Sequence, residues 1–185
     1  MAKRFPELSD EHRAFLAHQH IFFTATAAST GRVNVSPRPT TALRVLSANA
    51  VAYLDRTGSG NETAAHLRQC DRMTLMVCAV EGPPLILRLY GKGAVLRRDT
   101  AAYAALLDSA FSGEEPAGAR QIVRLDIDLV QTSCGYGVPL FEYKGERPSL
   151  DNWSAAKTAE EMEAYQRANN QVSLDGFASG MFEGT

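Results

Sequence analysis

The chain has no CxxC pair, no apolar run of the roughly 18 to 20 residues that crossing a bilayer needs, and no excess of either charge. Each absence removes a class of function. Three cysteines at wide spacing, Cys70, Cys78 and Cys134, argue against a disulfide framework or a thiolate metal site, and each reads as a small buried hydrophobe. A formal charge of −2 over 185 residues offers no basic footprint for nucleic acid. The opening MAKRFPELSDEHRAF lacks the apolar core of a signal peptide, so a cytosolic protein with no membrane partner is expected. Missing too are the GK[ST] ending of a P-loop, a GxSxG elbow and an HExxH pair. His12, His18 and His20 cluster without carboxylates at ligand spacing, so no metal site is expected. What is present is 45% apolar residues over a length that suits one domain with a substantial core, with small molecules or protein partners as ligands.

The pattern along the chain is mostly that of strands. Ser9 before DEHRAFLAHQ reads as an N-capped helix. Residues 21–27 (IFFTATA) and 32–36 (RVNVS) read as a β-hairpin about Ser29-Thr30-Gly31, after which Pro37 and Pro39 are expected to bar regular pairing. Residues 43–46 and 50–55 form a second pair, and 73–80 with 85–97 a third, where Gly91 and Gly93 suggest a bulge. Residues 100–111 have helical spacing, and 120–131 (RQIVRLDIDLVQ) alternate almost strictly, which makes Arg120, Arg124 and Asp126 one polar face. Residues 136–148 form an irregular, aromatic segment, Thr158 with Glu161 is a capping box, and the Gly-rich residues 173–185 read as a poorly held tail. Six or more strands at hairpin spacing favour an antiparallel barrel with flanking helices, a mainly β fold.

The stretch VAYLDRTGSGNETAAHL runs from strand through a glycine-rich turn into a helix. Such a junction presents unpaired amides and the positive end of a helix dipole, which attract an anion such as phosphate. The plainer reading is that Ser59 or Asn61 caps the helix, and local sequence leaves both readings open. The dipole supplies only ~0.3 to 1 kcal/mol, whereas micromolar binding needs roughly 8 kcal/mol, so other groups must contribute most of the affinity. Glu62 would repel a phosphate on its own side, which calls for an arginine from among Arg38, Arg44 and Arg56. His66, one turn into the helix, either reaches the same anion or is a packed helix residue.

FFTATAASTGRVNVSPRP, VAYLDRTGSGNETAAHL and DRMTLMVCAVEGPPLILRLYG, in that order, resemble the pyridoxamine 5′-phosphate oxidase-like family over roughly residues 5–135. The resemblance implies a six-stranded antiparallel Greek-key split barrel of the FMN-binding type, extended from about residue 132 by helix and loop within one domain. It also implies a homodimer with FMN at the subunit interface. Carried onto this chain, the family's cofactor contacts fall on Ser36, Pro37 and Arg38, on Tyr53, Leu54 and Asp55, and on Asn61, Glu62 and Thr63. Arg38 and Thr63 would meet the phosphate and Ser36 the flavin ring.

The implied activity is flavin-mediated hydride or electron transfer to an unknown small molecule, chemistry the cofactor itself carries, so no catalytic side chain is singled out. The namesake enzyme has an Arg-Lys pair at the helix start, where this chain has Glu62, Thr63 and Ala64, and a C-terminal arginine motif where this chain ends SGMFEGT. Both departures count against pyridoxamine phosphate oxidation. Two alternatives share the fold: a flavin-storing protein without turnover, and a reductase using the deazaflavin F420. Tyr136, Phe141, Tyr143 and Trp153 either close over a planar ligand or pack a dimer.

Overall fold

The computed structural model describes residues 2–183. Among these, eight strands form one antiparallel sheet: β1 (Lys3–Phe5), β2 (Ile21–Thr26), β3 (Asn34–Pro39), β4 (Leu43–Ser47), β5 (Ala50–Arg56), β6 (Arg72–Cys78), β7 (Ile86–Arg97) and β8 (Ala119–Ser133). Their order is β3-β2-β6-β7-β8-β5-β4, with β1 pairing separately on β8. The seven stretches read as strands are all found, and β1, which the sequence pattern did not suggest, brings the total to eight. Inward residues from opposite ends of this order, Phe22 and Leu75 on one side and Leu43, Val51 and Tyr53 on the other, meet in a single core cluster. That contact requires the sheet to curl into a half-barrel.

Helix α1 (Asp10–His18) plugs this core with Leu16, and α2 (Glu62–Gln69) packs against β2 and β7. On the far face of β5 and β8, Ala52, Leu54 and Ile122 are covered by Tyr103 and Phe111 of α3 (Ala101–Phe111). Strand β5 is therefore buried on both faces, which is why AVAYLD reads as an unbroken apolar run up to its closing aspartate. Helices α4 (Ser149–Ala155) and α5 (Ala159–Asn169) follow the sheet.

Several expectations need correction. Pro37 and Pro39 do not end pairing: β3 runs through both, opposite Phe23 and Ile21. Strand β3 is an edge, and residues 37 and 39 share the parity that turns the backbone nitrogen away from β2, so no ladder hydrogen bond is lost. The cysteines are not buried hydrophobes: Cys70 and Cys78 are half-buried and Cys134 is exposed. Residues 173–183 are held rather than loose, since Ser173, Ser179 and Gly180 are buried and Asp175 pairs with Arg32. Residues 184 and 185 of that stretch lie outside the described residues. The bulge expected at Gly91 is present as a register shift between Tyr90 and Gly91, where a Cβ would strike the carbonyl of Asp126 on β8.

Candidate functional site

Alternation along β3 directs Asn34, Ser36 and Arg38 to the inner side of the sheet, opposite Thr26, Thr24 and Phe22. The turn leaving β5 brings the start of α2 to face them. The two are joined directly: Asn34 Nδ2 donates to Thr63 Oγ1 at 3.4 Å, and Ser36 Oγ donates to Asn34 Oδ1 at 3.1 Å. Between them lies a cleft of about 480 Å³ lined by Ser36, Pro37, Arg38, Arg56, Glu62 and Thr63, with Gly58, Ser59 and Gly60 at its end. The glycine-rich junction and the arginine beyond Pro37 thus converge on one space.

Behind the cleft is a buried charged network centred on Asp55, which is fully buried. Its carboxylate pairs with Arg38 Nη1, accepts from Arg120 Nε at 2.8 Å and accepts from Gln121 Nε2 at 2.7 Å. Burial by itself would raise the Asp55 pKa, but Arg120 and Arg38 beside it, with the hydrogen bonds from Arg120 and Gln121, hold it below the ordinary carboxylate value. The Arg38 guanidinium also lies 4.5 Å from the centre of the Tyr53 ring. Tyr53 is buried beside Thr24 and Thr63, and burial raises its pKa against the opposing pull of Arg38. With two arginines on one carboxylate, the network carries a net positive charge at the back of the cleft.

Among the described residues, five buried side-chain polar atoms lack a hydrogen-bond partner: Tyr53 Oη, His66 Nε2, Ser154 Oγ, Arg56 Nη2 and Asn61 Nδ2. Arg56 gives Nε to Ala117 O at 3.1 Å and Nη1 to Asp151 Oδ1 at 2.5 Å, leaving Nη2 buried and unpaired. Asn61 precedes α2 but its side chain does not cap the helix; Oδ1 accepts from Gln121 at 2.8 Å and the buried Nδ2 donates to nothing. Burying an unsatisfied donor costs about 1 to 3 kcal/mol, so orphans beside a polar cleft mark a place for an acceptor. Glu62 is turned aside: Oε1 accepts from Leu174 N at 3.0 Å, and Oε2 lies 3.8 Å from His66 Nε2.

Of the nine residues expected at the site, Ser36, Pro37, Arg38, Glu62 and Thr63 line the cleft, and Tyr53, Asp55 and Asn61 stand behind them. Leu54 is not brought in; its side chain belongs to the cluster under α3. Of the other arginines considered, Arg56 lines the cleft, whereas Arg44 is spent on the carbonyls of Ala110, Thr41 and Leu43. His66 is packed against Thr26 Oγ1 at 3.2 Å. The aromatic segment does not close over this cleft: Tyr136 and Phe141 are exposed, Tyr143 stacks on His20 at 3.6 Å, and Trp153 packs on Tyr165.

Sequence reading missed Asn34, Arg120 and Gln121. Arg120 was expected on the outer face with Arg124 and Asp126, which are indeed exposed and paired with each other. The register of β5 on β8 slips here, from Asp55 opposite Gln121 to Arg56 opposite Ala119, so Arg120 is the unopposed residue of a bulge and turns inward to Asp55. A larger groove of about 560 Å³ near the start of β8 is lined by Arg97, Arg98 and Arg167, which pair with Asp99, Glu115 and Glu163.

Comparison with known proteins bears on this arrangement. Residues 8–134 match the family described as pyridoxamine 5′-phosphate oxidase. The chain is 38% identical over 188 residues to the pyridoxamine 5′-phosphate oxidase family protein ustO of Aspergillus flavus, covering 93% of this chain and 75% of that one. Among solved structures, HupZ of Group A Streptococcus superposes with a TM-score of 0.54 at 15% identity, over 66% of this chain and 91% of that one. A pyridoxamine 5′-phosphate oxidase-related, FMN binding protein of Nostoc punctiforme superposes with a TM-score of 0.50 at 15% identity, over 68% of this chain and 84% of that one. These two structural likenesses show the fold.

Proposed function

We propose that this chain, which belongs to the pyridoxamine 5′-phosphate oxidase family, binds FMN in the cleft between β3 and α2 and acts as a flavin-dependent oxidoreductase on a small molecule. The observation that carries the reading is a cleft lined by Arg38 and Arg56 in which Arg56 Nη2 has no partner, with the equally orphaned Asn61 Nδ2 buried behind its wall. A phosphate monoester supplies the acceptors these groups lack. Arg38, Arg56, Asn61 and Thr63 would hold the phosphate, with Ser36 and Pro37 left for the rest of the cofactor. FMN, when bound, supplies hydride or electron-pair transfer; the residues named here bind it and exclude water.

The charges around the cleft suit one phosphate. Arg38, Arg56 and Arg120 are the cations at the cleft and its back wall, too few to serve a longer polyanionic tail such as that of F420. The test is a titration of apo protein with FMN followed by flavin fluorescence. Wild type is expected to bind, and Arg56→Ala to bind about tenfold more weakly or worse, as the loss of a charge-assisted hydrogen bond implies. Arg38→Ala should lose more, because it removes a cation and leaves Asp55 Oδ1 uncompensated beside the phosphate; unchanged affinity in both variants would withdraw the phosphate assignment. Bleaching of the bound flavin by NAD(P)H in the absence of oxygen separates an oxidoreductase from a protein that only stores the cofactor.

A further inference from the structure

The family match ends at residue 134, yet two buried side chains of the later helix α5 and its C-cap reach back into the glycine-rich turn. Asn170 is fully buried. It accepts from Arg120 Nη1 at 2.9 Å through Oδ1 and donates to Gly58 O at 3.0 Å through Nδ2. Gln166, one turn earlier, donates from Nε2 to Thr57 Oγ1 at 2.7 Å. Thr57 in turn is fastened to β8, giving its backbone nitrogen and its hydroxyl to Gly118 O at 2.7 and 2.9 Å. Arg120, the residue Asn170 steadies, gives the same Nη1 to Gly60 O at 2.8 Å.

Every one of these bonds ends on residues 57–60 or on the arginine that holds them. Residues 58 to 60 form the end of the cleft, and there a Cβ on Gly58 would meet nothing within 4 Å and one on Gly60 only Glu62 Oε1 at 3.5 Å, so side-chain packing does not hold the turn. A glycine-rich turn has the largest conformational entropy to lose on ordering, so an unheld one would bring its amides to an anion at the full cost of that ordering. Polar side chains buried at the level of Asn170 are retained in a core only where their bonds are satisfied, and here both ends of the amide are.

We infer that α5 is part of the cofactor site: Asn170 and Gln166 are positioning residues that hold the turn 57–60 in the shape that receives the phosphate. This rests on the flavin reading above. The inference separates from a general contribution to folding because it concerns the phosphate end alone. Riboflavin, which has the ring and ribityl chain of FMN without the phosphate, should be indifferent to it.

The experiment compares FMN and riboflavin affinities for wild type, Asn170→Ala and Gln166→Ala by fluorescence titration, with thermal melting of the apo proteins alongside. Asn170→Ala is expected to weaken FMN about tenfold while riboflavin affinity stays within about twofold, the signature of lost preorganisation at one end of a ligand. Gln166→Ala, which removes a single bond, should shift the same ratio in the same direction by less, and it serves if Asn170→Ala fails to fold. An FMN-to-riboflavin ratio equal to that of wild type in the folded variants overturns the inference and leaves the flavin reading standing. Wild type that binds neither compound overturns both.

Discussion

Asp55 shows how much a single buried residue can organise. Its carboxylate is the shared anchor of Arg38, Arg120 and Gln121, so removing its charge leaves two guanidinium groups facing each other out of water. Asp55→Asn is expected to cost about 3 to 5 kcal/mol in urea denaturation, the range for breaking a buried ion pair from one side. The pH dependence follows from the same contacts. The folded pKa lies below the ordinary 3.8, so the stabilisation is fully present above that value and is lost as pH falls through the folded pKa. Denaturation midpoints measured from pH 6 down to pH 2 should fall steeply in wild type and less so in Asp55→Asn; parallel curves would remove Asp55 as the source. In the sequence, Arg38 and Asp55 stood out on the resemblance, whereas Arg120 looked like a surface charge because strict alternation hides a bulge.

Helix α1 illustrates an element that local chemistry specifies almost completely. Ser9 accepts from His12 N at 3.3 Å, and in return Ser9 N donates to His12 Nδ1 at 3.1 Å, a capping box in which an imidazole stands where glutamate is usual. This bond needs an unprotonated Nδ1. Burial lowers the His12 pKa from 6.5, with Glu11 pulling the other way. The helix start is therefore firm above pH 6.5 and loosens as acid protonates the ring. NMR titration of the imidazole is expected to give a His12 pKa below 6.5; a higher value would contradict its role as acceptor. The N-cap at Ser9 was legible because serine followed by acidic residues is a local signal, while the identity of its partner was not, since histidine at that position has no fixed reading. Strand β3 is the opposite case: its prolines were misread as a stop because only its place at the sheet edge makes them harmless.

For the whole molecule, the sheet register puts a second apolar surface opposite the core. Paired residues share a face, so the rows Pro37-Phe23-Met76-Arg88-Gln131 and Val35-Ala25-Thr74-Tyr90-Leu129 run across β3, β2, β6, β7 and β8 on the outside of the half-barrel. Apart from Thr74, Arg88 and Gln131 this face is apolar, and Phe23, Ala25, Met76, Tyr90 and Leu129 on it stay partly exposed. A sheet apolar on both faces is ordinarily covered on both. The expected outcome is a homodimer through this face: light scattering after gel filtration should give about twice 20.1 kDa, and Phe23→Asp should give a monomer. A monomeric wild type would contradict it.

At this scale the division between sequence and structure has a physical basis. Most strand and helix positions, the caps of α1 and α5, the bulge at Gly91 and the polar turn before Thr63 follow from short-range rules, because periodicity, capping and backbone sterics act within a few residues. The inward turn of Arg120, the tying of Thr57 and Gly58 by Gln166 and Asn170, and the departure of Leu54 from the site were decided only when distant strands and α5 met. Those contacts span 50 to 112 residues of chain, and no local pattern records which partner a buried polar side chain will find.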